Sequence, residues 1–125
     1  MDGSIFLFAG SFLTIAWGIA HLFPTKNVVR GFGEITADNK KIILMEWILE
    51  GASLIFIGFM VAIVTYTDRN NPVSRIVYWT SFAALNIFSI ISIFTGFKVS
   101  FIPFKLCPLI FSVSSILIIA GSFLL

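Results

Sequence analysis

Residues Ile42–Tyr66 read IILMEWILEGASLIFIGFMVAIVTY. As a helix rising about 1.5 Å per residue, this run is about 36 Å long, enough to cross the roughly 30 Å hydrocarbon core of a bilayer. It is apolar on every face apart from Glu46 and Glu50, so such a helix needs an apolar solvent on all sides. Three further runs have the same character: Ser4–Phe23, ended by Pro24; Val73–Phe97; and Phe104–Leu125. The expected fold is all-α, a single transmembrane domain of four helices in an up-down bundle, at roughly 4–23, 42–66, 73–97 and 104–125.

Composition leads to the same place. The chain has 125 residues, of which 58% are hydrophobic and 11% charged. Its mean hydropathy is +1.05. A water-soluble domain this small has too little interior to hide so much apolar surface. The net charge of +2 is small and the basic residues are scattered between apolar runs. That pattern suits membrane flanks and excludes a nucleic-acid surface. The N-terminal MDGSIFLFAG has no basic leader and no small-residue cleavage site ahead of a polar chain, so a retained first helix is expected. The lone cysteine, Cys107, rules out an internal disulfide and a zinc pattern. Preceding Pro108, it is expected at a helix start as a small packing residue.

The connections differ in length. Pro24–Lys41 is the long one, broken by Gly31 and Gly33. Asp38 and Asn39 are expected to cap the next helix. Val28, Val29, Phe32 and Ile35 are expected to lie as an amphipathic turn at the interface. The second link is a tight polar turn ending at Asn71-Pro72, and the third is Lys98–Lys105. Lys26, Arg30, Lys40, Lys41, Lys98 and Lys105 fall on one side of the membrane, Arg69 and Arg75 on the other. The positive-inside rule then places the chain in an inner membrane with both termini outside the cytoplasm. Gly51, Ala52, Gly58, Ala83 and Ala84 are the expected points of close helix approach.

Glu46 and Glu50 carry the functional argument. A charge near the bilayer centre costs roughly 2.5–3.5 kcal/mol by insertion scales, so an intramembrane carboxylate calls for a partner, a proton or a cavity. The two glutamates are four residues apart and share a helix face, continued by Ser53. Measured from Lys41, Glu46 lies about 7 Å and Glu50 about 13 Å along the helix. His21 ends the first run at the same surface, so it is expected to meet Glu46 at one depth, with Trp17 one turn deeper. Asn86 and Ser89 in the third run and Ser112 and Ser115 in the fourth reach the level of Glu50 by the same arithmetic. The expected ligand pocket is therefore Trp17, His21, Glu46, Glu50, Asn86, Ser89 and Ser112. Two close carboxylates in low dielectric favour one protonated and one charged, which suits acid–base chemistry. A purely structural pairing of Glu50 with Asn86 or His21 competes with this. No HExxH or ExxH spacing is present, so no metal is expected, and no cofactor is named by the residues. Trp47 and Trp79 are expected as interfacial anchors.

The order Trp17-Gly-Ile-Ala-His21-Leu22, a glycine-bearing connection, then Glu46-Trp-Ile-Leu-Glu50-Gly51 running into Leu54-Ile-Phe-Ile-Gly58 resembles the DoxX-like family of small four-helix membrane proteins. The resemblance covers roughly Gly10–Gly58. It implies a four-helix fold, an acidic position at Glu50-Gly51, and association with thiol or quinone redox complexes of the membrane. This chain lacks a redox cysteine pair, which puts a thiol role in doubt. The set of buried carboxylates, Asn or His, and Trp is also similar in chemistry to sterol isomerase and sigma-type bundles. Three functions are therefore expected candidates. One is a protein binding a small lipophilic, quinone-like or cationic molecule. Another is an enzyme using Glu46, Glu50 and His21 as acid and base on a lipid-like substrate. The third is a structural subunit of a membrane complex or homo-oligomer. Membrane lipid is the expected surrounding partner in all three.

Overall fold

The computed structural model describes residues 2–125. It is all-helical among those residues: α1 Gly3–Leu22, α2 Thr25–Gly31, α3 Ala37–Asp68, α4 Pro72–Phe94 and α5 Ile102–Phe123, with a 3₁₀ turn at Gly96–Lys98. α1, α3, α4 with its 3₁₀ turn, and α5 are long and apolar enough to cross a membrane. The chain is a multi-pass membrane four-helix bundle.

Local chemistry sets the boundaries. The Asp2 carboxylate accepts from the Ser4 N–H and starts α1. α1 ends at Leu22, where Pro24 has no N–H to donate back to the Ala20 carbonyl. α3 begins at Ala37, earlier than the apolar run suggested, and is capped by Thr36, whose hydroxyl accepts from the Asn39 N–H at 3.2 Å. Asp38 and Asn39, the expected caps, lie inside its first turn. The hydroxyl at Thr36 competes successfully because it precedes the helix in extended backbone, where a cap must sit. Asn71 caps α4 with Pro72 at its first position, as the sequence suggested. α4 stops at Phe94, short of Phe97, where the Thr95 hydroxyl turns back to the Ile91 carbonyl at 2.7 Å and the backbone leaves helical angles. Cys107-Pro108 is not a helix start. α5 begins at Ile102, and Pro108 lies within it, leaving the Phe104 carbonyl without its helical N–H donor.

α1 is the hub. Its stripe Leu7, Gly10, Ser11, Thr14, Gly18 and His21 is buried, and it packs against α3 on one side and α5 on the other. With no hydrophobic drive between helices in lipid, small residues and hydrogen bonds draw them together. At the α1–α3 crossing, a Cβ on Gly18 would stand 2.8 Å from the Gly51 carbonyl oxygen, and one on Gly58 2.8 Å from the Ser11 carbonyl oxygen. The Ser11 hydroxyl donates to the Gly58 carbonyl at 2.7 Å. Of the expected close-approach residues, Gly51 and Gly58 serve, while Ala52 and Ala83 are exposed. α4 is held mainly by α5, through Ser89, whose hydroxyl donates to the Pro108 carbonyl at 3.0 Å and lies 2.8 Å from that of Ser112.

The remaining seam, α3 with α4, is the least packed of the four. Near the tight turn, Thr65 and Tyr78 hydroxyls meet at 3.1 Å. Toward the other end, the two helices part around Glu50, Phe88 and Ser92, and cavities fill the space. The bundle is a closed ring at one membrane surface and an open one at the other.

Candidate functional site

His21 is the next-to-last residue of α1 and is buried. Its Nε2 lies 3.5 Å from Oε2 of Glu50, whose side chain is about half-exposed to the open seam. The Gly18–Gly51 crossing fixes the register between α1 and α3. That register sets His21 beside Glu50 and Trp47. The expected meeting of His21 with Glu46 does not occur: among the described residues Glu46 has no hydrogen-bond or ion-pair partner within its helix bundle. It stands one turn nearer the surface, on the groove that Glu50 and Ser53 also line.

Trp47 is not a free interfacial anchor. Its ring stacks on His21, with centroids 3.9 Å apart and planes 18° from parallel, and its Nε1–H donates to the His21 carbonyl at 2.9 Å. Phe104 meets Trp47 edge-on at 5.5 Å, and Phe101 meets Phe104 at 5.8 Å. Sequence reasoning gave Trp47 only an anchoring role and passed over Phe104. For Trp47 a signal was present: it lies one turn before Gly51, and a residue there must face the helix that Gly51 admits. For Phe104 there was none, since one phenylalanine among 15 carries no distinguishing mark.

Three cavities converge on Phe104. One of about 270 Å³ is bounded by Trp17, His21, Trp47, Phe104 and Cys107 and is almost wholly apolar. A second, of about 200 Å³, lies between Glu50, Phe88, Ser92 and Phe111. The third, of about 570 Å³, is a groove along α3 that carries Glu46, Glu50, Ser53 and Phe32 and opens outward. The first holds the site's most informative chemistry. Trp17 Nε1 and His21 Nε2 are both buried, and among the described residues neither has a strong hydrogen-bond partner. The indole has the Cys107 thiol beside it, the imidazole lies 3.5 Å from Glu50, and both residues line the cavity. They are four residues apart on one face of α1. A buried N–H left unpaired costs about 1–3 kcal/mol. The Cys107 thiol, which shares that wall, is only a weak acceptor.

The other expected residues lie elsewhere. Asn86 turns its side-chain amide to the Phe82 carbonyl of its own helix at 2.8 Å and lines none of these cavities. Ser89 is buried in the α4–α5 contact with Ser112, and the Ser115 hydroxyl bonds the Ser112 carbonyl. Ser89 and Ser112 tie α4 to α5, Asn86 and Ser115 bond within their own helices, and none of the four joins Glu50. His21 and Glu50 alone would give a metal two ligands, and among the described residues no three His, Cys, Asp or Glu side chains gather.

No family model, curated protein or solved structure matches this chain. The argument for function therefore rests on the site itself.

Proposed function

We propose that this chain is an inner-membrane protein that binds a small lipophilic molecule with a carbonyl-bearing, quinone-like head. The observation that carries this reading is that Trp17 and His21, whose ring nitrogens Nε1 and Nε2 are buried without a hydrogen bond among the described residues, line one apolar cavity. Indole N–H is a donor only, so it requires an acceptor such as a carbonyl oxygen. That chemistry favours a quinone-like head over a cationic one. Glu50, 3.5 Å from His21, is placed to exchange a proton with the imidazole. A tail would lie in the groove beside Glu46 and Ser53, reached from the lipid through the open α3–α4 seam.

The DoxX-like resemblance belongs to the same proposal. It is supported by the helix count and by Glu50-Gly51 standing where the second spanning helix meets the first. On this reading the basic links lie in the cytoplasm, so the Glu50 end of the bundle faces it and both termini lie outside. Exposed, unpaired Glu46 is the one feature that favours a subunit role, because it is free to meet another chain.

Native mass spectrometry of the protein released from membranes tests this, comparing wild type with Glu50→Gln and Trp17→Phe. A copurifying carbonyl-bearing molecule, weakened roughly threefold to tenfold by Trp17→Phe, is the expected result. A copurifying amine would move the ligand to the cationic class. No bound molecule, together with an oligomer that dissociates on Glu50→Gln, would overturn ligand binding in favour of a structural subunit.

A further inference from the structure

A second concave site lies between α2 and the start of α3, away from the Glu50 cavities. It has a volume of about 500 Å³ and is lined by Lys26, Arg30 and Lys40, with Glu34 on its wall. Lys26 and Arg30 are four apart, so they share one face of α2. That face is turned to α3, which α2 packs against and on which Lys40 stands. Gly33, at φ +70°, makes the turn that carries Glu34 and Ile35 back over the cleft. Val29 and Leu44 line it with apolar surface. Among the described residues the ion pairs are His21–Glu50 and Arg69–Asp2, so none of these cations is within 4 Å of a carboxylate.

We infer that this cleft is a binding site for a phosphate group, and that the phosphate is that of an anionic phospholipid. Cations gathered against one carboxylate leave a net positive concavity, and such a pocket at one end of a membrane bundle suits an anionic lipid headgroup. Arg30 offers a planar fork for two phosphate oxygens, and the lysines add point charge. Leu44 begins an apolar helix face, continued four residues on by exposed Ile48, along which an acyl chain would run into the bilayer. A free phosphate would gain nothing from that face. The inference is independent of the Glu50 site and concerns the lipid around the protein, not its ligand.

The test uses delipidated full-length protein in neutral detergent, titrated with phosphatidylglycerol, phosphatidylcholine or glycerol phosphate and read by native mass spectrometry. Lys26→Gln, Arg30→Gln and Lys40→Gln are combined in one variant. Arg75→Gln, Lys98→Gln and Lys105→Gln are combined in another, which loses the same charge elsewhere. Wild type is expected to prefer phosphatidylglycerol to phosphatidylcholine, with about a tenfold or greater loss in the first variant and less than about twofold in the second. Arg30→Gln alone, a surface change that leaves the helices intact, is expected to give an intermediate loss. Equal losses in both triple variants, or no headgroup preference in wild type, would overturn the site. Glycerol phosphate competing as well as the lipid would overturn the lipid source and leave a soluble phosphate ligand.

Discussion

At Trp47 one side chain joins three parts of the site: it stacks on His21, bonds its carbonyl and meets Phe104. Trp47→Phe keeps an aromatic ring and loses the N–H. A loss of about 0.5–1.5 kcal/mol is expected in unfolding from detergent micelles, with His21 freed to move. At the other membrane surface Asp2 offers a pH test. Its carboxyl is held below the ordinary value of 3.8 by the backbone N–H and hydroxyl of Ser4, then by the Arg69 guanidinium. Arg69 Nη1 lies 2.9 Å from Oδ2. A carboxyl depressed in the folded state binds protons more readily when unfolded. Its contribution is therefore full above the unfolded value and fades as pH falls through the folded one. Stability measured below about pH 4 should fall less steeply in Asp2→Asn than in wild type.

The elements are set against one another by glycine and proline. Gly18→Leu would drive a branched side chain into the Gly51 backbone and push α1 from α3. A loss of about 1–3 kcal/mol is expected in thermal or denaturant unfolding, together with loss of any molecule bound in the cavity lined by Trp17 and His21. Ser53→Trp is the contrasting change. Ser53 is exposed in the groove, and its hydroxyl bonds only the Leu49 carbonyl of its own helix. An indole there should leave the melting temperature nearly unchanged while reducing ligand occupancy in native mass spectra. Equal occupancy in wild type and Ser53→Trp would show that the groove carries no tail. Much of this scale was legible in the chain. Pro24, Asn71-Pro72 and Pro103 mark helix ends because proline lacks an N–H and fixes φ. Pro108 misled because a helix in lipid tolerates an interior proline where it packs on its neighbours. Here α4 packs on the proline-bearing turn, the Ser89 hydroxyl donating to the Pro108 carbonyl, while the carbonyl that Pro108 leaves without its helical donor is that of Phe104.

As a whole, the molecule is a ring of four helices closed at one surface and open at the other. The α3–α4 turn ties those helices tightly at Asp68–Asn71, where the Ser74 hydroxyl bonds the Asp68 carbonyl at 2.6 Å. Among the described residues nothing comparable joins them at the Glu50 end. Orientation is testable with single cysteines in a Cys107→Ser background. Asn70→Cys should react with an impermeant maleimide added outside intact cells, and Lys26→Cys only after the membrane is opened. The reverse pattern would place the Glu50 site at the outer surface.

The chain alone determined the four spans, since no water-soluble fold accommodates such apolar runs, and it singled out Glu50 and His21, since ionisable groups in hydrocarbon are costly. Backbone rise is constant, so the chain also gives distance along each helix by counting. Rotation was beyond it. Which way a side chain points around its helix axis depends on which neighbour the helix packs against. In a bundle this rich in phenylalanine and isoleucine, almost any face can meet lipid. The Gly18–Gly51 contact and the Ser89–Pro108 bond settled those rotations. They turned Trp47 and Phe104 toward His21, Asn86 away from Glu50, and left the α3–α4 seam open beside a half-exposed carboxylate.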